Sequence, residues 1–222
     1  MIIAIDGPAG AGKSTVGKKT ARRLGFLYID TGAMYRALTL KAIEQRISIA
    51  DTAALIRMAE NTSIDLINKE DGTLVVKLDS RDVSQEIRQP RITQSVSDIA
   101  KIKEIRQIMA RLQRSLGKEK DSVLDGRDIG TVVFPDADRK FYVDADFKER
   151  VRRRFEELKG MGQDITFEAV EADLRNRDTI DSTRAVAPLK KADDAIYLDT
   201  TKMSIDEVVD TILKYIKENK YQ

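Results

Sequence analysis

Near the start of this 222-residue chain stands Ile2-Ile3-Ala4-Ile5-Asp6-Gly7-Pro8-Ala9-Gly10-Ala11-Gly12-Lys13-Ser14-Thr15. The run Ile2 to Ile5 is short and apolar throughout, which reads as a buried strand. A glycine-rich loop follows it. Lys13 to Leu24 then reads as a helix that ends near Gly25. Strand, glycine loop and helix in this order set the expectation for the rest of the chain, an α/β fold on a mainly parallel sheet covered on both faces.

Outward from that stretch the alternation continues. Phe26 to Ile29 is a second short strand, Gly32 to Gln45 carries a helical pattern, and a further helix covers Thr52 to Glu60. The period then changes. Ile64 and Leu66, then Leu74, Val76 and Leu78, recur at every second position around Asp71-Gly72, which is a hairpin signal. Ser63 to Ser84 therefore reads as a β insertion, with Val83 extending it. Helical sequence resumes over Thr93 to Leu116, but one apolar stripe does not stay in phase, so two helices with a break near Lys101 are expected. Ser122 to Leu124 and Lys140 to Val143 are strands, Phe147 to Lys159 and Phe167 to Arg177 are helices, and Ala195 to Leu198 is a last strand. Ser204 and Glu207 form a capping box ahead of Ile205, Val208, Val209, Ile212, Leu213 and Ile216 at helical spacing.

Composition narrows the chemistry. There is no Cys and no His, which removes disulfides, thiolate nucleophiles, Cys/His zinc sites and Ser-His-Asp catalysis. The usual general base near neutral pH is missing as well. Any chemistry falls to carboxylates, Lys, Arg, hydroxyls and backbone. The formal net charge is +2. That balance speaks against a nucleic-acid coat or a membrane-surface protein. The apolar run Met1 to Ile5 is too short for a signal peptide or a membrane span, so a cytoplasmic location is the expectation.

Gly7 to Ser14 fits G-x-x-x-x-G-K-[ST]. Its glycines let several backbone N–H groups converge on a phosphate, and the helix that follows turns its positive end to the same point. Lys13 reaches the β- and γ-phosphates, and the Ser14 hydroxyl is placed to ligate Mg²⁺. Chance alone would produce the pattern in roughly one chain in a hundred of this length, and the flanking strand and helix make it rarer still. A nucleoside triphosphate is therefore expected here. Asn68-Lys69-Glu70-Asp71 fits N-K-x-D, the guanine motif of switch GTPases. It sits in the hairpin turn, however, and no D-x-x-G occurs in the chain, so the guanine reading is set aside.

Arginine carries the next signal. Arg36, Arg88, Arg106, Arg127, Arg150, Arg152, Arg153, Arg154, Arg175, Arg177 and Arg184 recur near loops and helix ends. Bringing two phosphates together requires fixed positive charge, and the Arg fork suits phosphate. An acceptor phosphate also needs no base, because its oxygens are already largely deprotonated near neutral pH. On the helix from Phe147, Arg150, Arg153 and Arg154 share one stripe, apart from the apolar face of Val151, Phe155 and Leu158. Two readings of that stripe stand side by side. One is a solvated face paired to Glu156 or Glu157. The other is a mobile lid that brings Arg to the transferring phosphoryl.

At this point several segments together resemble the bacterial cytidylate kinases. They are GPAGAGKST from Gly7, Asp30-Thr31-Gly32-Ala33-Met34-Tyr35-Arg36, DGRDIGTVVFPDA from Asp125 to Ala137, and Arg184-Ala185-Val186-Ala187-Pro188-Leu189. The resemblance implies a P-loop kinase with a five-stranded parallel sheet flanked by helices, a small β-containing insertion that binds the nucleoside monophosphate, and a helical lid. Residues 1–30, 85–145 and 180–222 would form the core, 31–84 the monophosphate-binding region with the insertion at about 63–84, and 146–179 the lid. The implied reaction transfers the γ-phosphoryl of ATP to CMP or dCMP with Mg²⁺, in a chain expected to be a monomer; a P-loop kinase for another small acceptor such as UMP is the alternative.

By matching motif, Gly7, Pro8, Ala9, Gly10, Ala11, Gly12, Lys13, Ser14 and Thr15 would bind ATP, with Arg153 and Arg154 as lid residues facing it. Thr31 and Arg36 would contact the acceptor nucleotide, Arg36 at its phosphate. Ser97, Arg106 and Asp128 would read cytosine, whose edge offers an amino donor beside two acceptors. Arg127 and Arg177 would clamp the CMP phosphate, and Asp181 with Arg184 would meet the sugar. Lys13, Arg127, Arg153 and Arg177 would carry the catalysis. Ser14 would be the metal ligand, with Asp30 and Asp125 orienting Mg²⁺ waters.

Overall fold

The computed structural model describes residues 1–218. The opening strand β1 (Ile2–Asp6) lies at the centre of a five-stranded sheet with β2 (Leu27–Asp30), β6 (Ser122–Gly126), β7 (Arg139–Asp144) and β8 (Ile196–Asp199). The order is β2-β6-β1-β7-β8, and every pairing is parallel. Central placement explains why Ile3, Ala4 and Ile5 have no exposed surface, since both faces of β1 are covered. Helices α1 (Lys13–Leu24) and α8 (Ile205–Glu218) cover one face with Val16, Val209 and Ile212. Helices α2 (Thr31–Glu44), α4 (Pro90–Ala100) and α5 (Lys103–Glu119) cover the other with Met34, Leu38, Ile92 and Ile105. The capping box holds α8 as expected: Ser204 Oγ lies 2.8 Å from Glu207 Oε2, and the Ser204 N–H donates to the same oxygen at 2.7 Å.

Helix α3 (Thr52–Glu60) leads into an antiparallel sheet of β3 (Ile64–Asn68), β4 (Leu74–Leu78) and β5 (Arg81–Asp82). The N-K-x-D segment has a structural role here. The Asn68 carboxamide donates to Tyr28 O at 3.0 Å and accepts from Tyr28 N at 3.3 Å. Strand β2 is an edge strand, so one side of its backbone needs partners, and Asn68 supplies both kinds. Asp71 accepts from the Thr73 N–H at 2.7 Å within the turn.

The break between α4 and α5 falls at Lys101 and Ile102, the latter in extended backbone. Helix α6 (Phe147–Gly160) closes one residue later than the sequence pattern suggests. Helix α7 (Phe167–Thr183) runs well past the expected end at Arg177. The added turns carry no apolar stripe, which is why periodicity missed them. Their hydroxyls are satisfied locally: Ser182 Oγ donates to Asp178 O at 2.6 Å, and Thr183 Oγ1 to Thr179 O at 2.7 Å. The extension places Asp181 one turn beyond Arg177, on the same face.

Candidate active site

All five parallel strands end at one edge, and the crevice outside those carboxyl ends is where such sheets bind ligands. A cleft of about 1290 Å³ opens there. A single small ligand occupies a site of roughly 300–1,000 Å³, so this one has room for two. Apart from Gly7 and Pro8 at the base of the loop, every site residue named from the sequence lines it.

The loop itself is shaped by close approach. Gly7 has φ +148°, and a Cβ there would meet the Val143 carbonyl oxygen at 2.0 Å. Gly10 has φ +76°, and its Cβ would press on Arg150 O at 2.9 Å and Leu174 Cδ2 at 3.0 Å. Helix α1 starts at Gly12 with no side-chain cap, so its first N–H groups face the cleft unclaimed by protein side chains. Lys13 is 5% exposed and its Nζ donates to Pro8 O at 2.6 Å. Burial, then the nearby Arg127 guanidinium, push the Lys13 amine down to about 7.

Beside Lys13 lies a buried carboxylate, Asp125, at the end of β6. It accepts from Ser14 Oγ at 2.8 Å and from the Tyr28 hydroxyl at 2.8 Å. Burial and the neighbouring Asp30 raise its pKa to about 6. Thr31 Oγ1 donates to the Asp125 carbonyl at 2.7 Å, and Asp30 accepts from Ala33 N at 2.7 Å and Arg36 Nη2 at 3.2 Å. No group of three or more carboxylates that could hold a metal ion by itself occurs among the described residues. Even so, Ser14 Oγ with Asp125 behind it, and Asp30 nearby, are the hard oxygen donors that suit Mg²⁺. That ion keeps most of its shell as water and phosphate oxygen, so it asks little of the protein.

The opposite wall alternates cations and anions. Arg106 bonds Asp128, Asp128 faces Arg184 at 3.6 Å, Arg184 lies 3.4 Å from Asp181, and Asp181 accepts from Arg127 Nε at 2.9 Å. The Arg106, Asp128 and Arg184 side chains are all under 9% exposed. Burial pushes Asp181 upward, but Arg127 and Arg184 outweigh it and hold its pKa below the usual carboxylate value. Arg106 also donates to Ala100 O at 3.1 Å and lies over the Tyr35 ring at 5.4 Å. Ser97, on α4, is buried along the same wall.

Arg177 stands apart from this pairing. Its nearest carboxylate, Asp173, is 3.9 Å away, and its Nε has no partner. Burial and Arg127 push its guanidinium down to about 10. Lys13, Arg127 and Arg177 thus form a buried cluster in which Arg127 disfavours the charge on each of the other two. The Nε atoms of Arg36, Arg106 and Arg154 are likewise buried without a hydrogen bond.

The stripe on α6 divides. Arg154 pairs with Glu157 at 2.7 Å, and Arg153 donates to Glu149 at 2.8 Å and Thr200 O at 2.6 Å. Arg150 does not join them on a free face. It is buried against the phosphate loop and α7, because the first turn of α6 packs directly on Ala9 and Gly10. Spacing on one helix could not reveal which part of that stripe the rest of the fold covers.

The structure adds residues that the sequence did not single out. Asp6, 4% exposed, accepts from Ile129 N at 2.8 Å and Gly130 N at 2.7 Å, fixing the turn that follows Arg127 and Asp128. Burial raises its pKa to about 6 against those two hydrogen bonds. A carboxylate closing an otherwise apolar strand was the available signal. Tyr28 falls within the second strand and Tyr35 within the Asp30 to Arg36 segment, where the sequence assigns neither a role. Nothing in the sequence marks Thr200 as a partner of Arg153.

A family model described as Cytidylate kinase matches residues 3–218. A cytidylate kinase of Desulforamulus reducens is 49% identical over 218 residues, covering 98% of this chain and 97% of its own. Another, of Shouchella clausii, is 50% identical over 220 residues, covering 99% and 97%. Among solved structures, an uncharacterized protein from Eubacterium ventriosum aligns with a TM-score of 0.53 at 14% identity over 99% of both chains, a likeness of fold alone.

Proposed function

The chain belongs to the cytidylate kinase family, and from that premise we propose that it transfers the γ-phosphoryl of ATP to CMP or dCMP, giving ADP and CDP or dCDP, with Mg²⁺. The observation that carries the reading is the clustering of three buried cations, Lys13, Arg127 and Arg177, in the cleft beside the phosphate loop. Each of Lys13 and Arg177 is pushed down in pKa by burial and by Arg127. Two phosphates brought together between these side chains relieve that repulsion and have their own repulsion screened.

In this scheme the N–H groups of Gly7 to Thr15 and the Lys13 ammonium bind the donor phosphates. Arg153 and Arg154 reach them from α6, and Arg36, Arg127 and Arg177 hold the acceptor phosphate. One of its oxygens forms the new bond to the γ-phosphorus as the bond to the β–γ bridging oxygen breaks, and ADP leaves with that electron pair. No side chain removes a proton, which suits a chain without His. Ser14 would hold Mg²⁺, with Asp30 and Asp125 orienting its waters. The ion supplies neutralisation of charge on the β- and γ-phosphates.

Asp128 and Ser97 would accept from the cytosine amino group while Arg106 donates to its acceptor edge, with Thr31, Asp181 and Arg184 at the nucleotide's sugar side. Residues 31–84 form the monophosphate-binding region and 146–179 the lid, and closure excludes water. The expected state is a cytoplasmic monomer. No described helix is long and apolar enough to cross a membrane.

The test is a side-by-side acceptor panel of CMP, dCMP, UMP, AMP and shikimate with ATP and Mg²⁺. CMP and dCMP should be fastest. UMP faster than CMP would overturn the reading.

A further inference from the structure

Arg150 binds four acceptors from three parts of the chain. Its Nε donates to Ala145 O at 3.1 Å and lies 3.7 Å from Asp144, and its Nη1 donates to Ala9 O at 2.9 Å and to Asp178 at 2.6 Å. Its guanidinium also lies over the Phe147 ring at 5.2 Å. Ala9 belongs to the phosphate loop. Asp178 is the residue after Arg177 on α7, one turn before Ser182 and three residues before Asp181. A single buried side chain therefore ties the backbone of the loop to the helix that carries Arg177 and Asp181. Packing repeats the connection, because a Cβ on Gly10 would press on both Arg150 O and Leu174 of α7.

We propose that Arg150 is a positioning residue that sets the register between the phosphate loop and the Arg177 to Asp181 stretch of α7, and so aligns donor and acceptor phosphates. The inference rests on the proposed function, since it takes the loop as the donor site and α7 as part of the acceptor site. Arg150 touches neither nucleotide in this scheme. A guanidinium is suited to the task because its planar fork can serve several acceptors in fixed directions, which an ammonium cannot. In-line transfer is sensitive to such alignment: a misplacement of about 1 Å can lower the rate on the order of 100-fold while each ligand still binds.

The test uses the full chain with Arg150→Lys and, separately, Asp178→Asn, a near-isosteric change. For each variant, the Kd of CMP and of a non-hydrolysable ATP analogue are measured by calorimetry, kcat at saturation, and folding by circular dichroism. The expected result for Arg150→Lys is a fall in kcat on the order of 100-fold, with both Kd values within about 3-fold of wild type. Asp178→Asn should lower kcat in the same direction with the same split. A kcat within about 3-fold of wild type in both variants overturns the proposal. So does a fall in kcat accompanied by equal weakening of both Kd values, which marks a residue that merely supports the fold. Should Arg150→Lys fail to fold, Asp178→Asn decides by the same criteria. A wild-type chain that does not phosphorylate CMP would instead refute the proposed function.

Discussion

Replacing Asp128 by Asn tests the base-reading assignment, and the structure sets the size of two separable effects. Asp128 bonds Arg106 and faces Arg184, with all three side chains under 9% exposed, so solvent screens the charges little. Asn keeps the shape and one acceptor oxygen but removes the negative charge between two buried guanidinium groups. Removing one partner of a buried pair outright costs about 3–5 kcal/mol. The retained hydrogen bond lowers that to about 2 kcal/mol. For a chain of this size the loss corresponds to a fall in Tm of roughly 4–8 °C.

The second effect is on substrate choice. A hydrogen bond from the cytosine amino group to a carboxylate contributes about 1.5–3 kcal/mol, so kcat/KM for CMP should fall roughly 10- to 150-fold. UMP presents a carbonyl at that position, which opposes a carboxylate but can accept from the Asn amide. A gain of about 1 kcal/mol there raises kcat/KM for UMP roughly 5-fold. The CMP:UMP ratio should therefore drop by roughly 50-fold or more. The assay is coupled ADP release with each acceptor below KM, beside a thermal melt. A lowered Tm with a CMP:UMP ratio within about 3-fold of wild type would refute the reasoning and leave Asp128 as a clasp between Arg106 and Arg184.

Arg177→Ala should lower kcat by roughly 10²–10³-fold, because Arg177 is a buried cation whose only ion pair among the described residues is long, at 3.9 Å, and whose Nε is left without a hydrogen bond. A rate near wild type removes it from the site. Lys13 should take up a proton on binding a non-hydrolysable ATP analogue. Its free-state pKa of about 7 leaves it mostly neutral at pH 8, and a triphosphate beside it raises that value, so the charged form is gained on binding. Calorimetry at pH 8 in buffers of different ionisation enthalpy should show uptake approaching one proton, and zero uptake would contradict the assignment. Hydrogen exchange should fall over Arg153 to Gly162 when both nucleotides bind, but change little through Arg150, which is already tied to Ala9 and Asp178. Equal protection with and without nucleotides across Arg153 to Gly162 would argue against a closing lid.

Much of this protein is legible in its sequence because the signals are local. Ile2 to Thr15 specifies strand, phosphate loop and helix through neighbours in the chain. The alternation from Ile64 to Leu78 around Asp71-Gly72 likewise specifies the inserted hairpin, and the Ser204 and Glu207 cap specifies the start of α8. The family motifs identify which Arg and Asp belong to the site without saying how they are arranged.

That arrangement comes from tertiary structure. Arg106 and Asp128 are 22 positions apart, Arg127 and Asp181 are 54, and Asp6 and Ile129 are 123. Their partnership depends on strand order and helix packing, which no local period encodes. The same cause separates Arg150 from Arg153 and Arg154. Helical spacing puts all three on one stripe, but contact with Ala9, Gly10 and α7 buries the first, while Arg153 meets Thr200 and Arg154 stays paired to Glu157 on its own helix. A side chain's chemistry is fixed by its type. Its charge state, its partners and its freedom to move are fixed by desolvation and by neighbours brought from elsewhere in the chain.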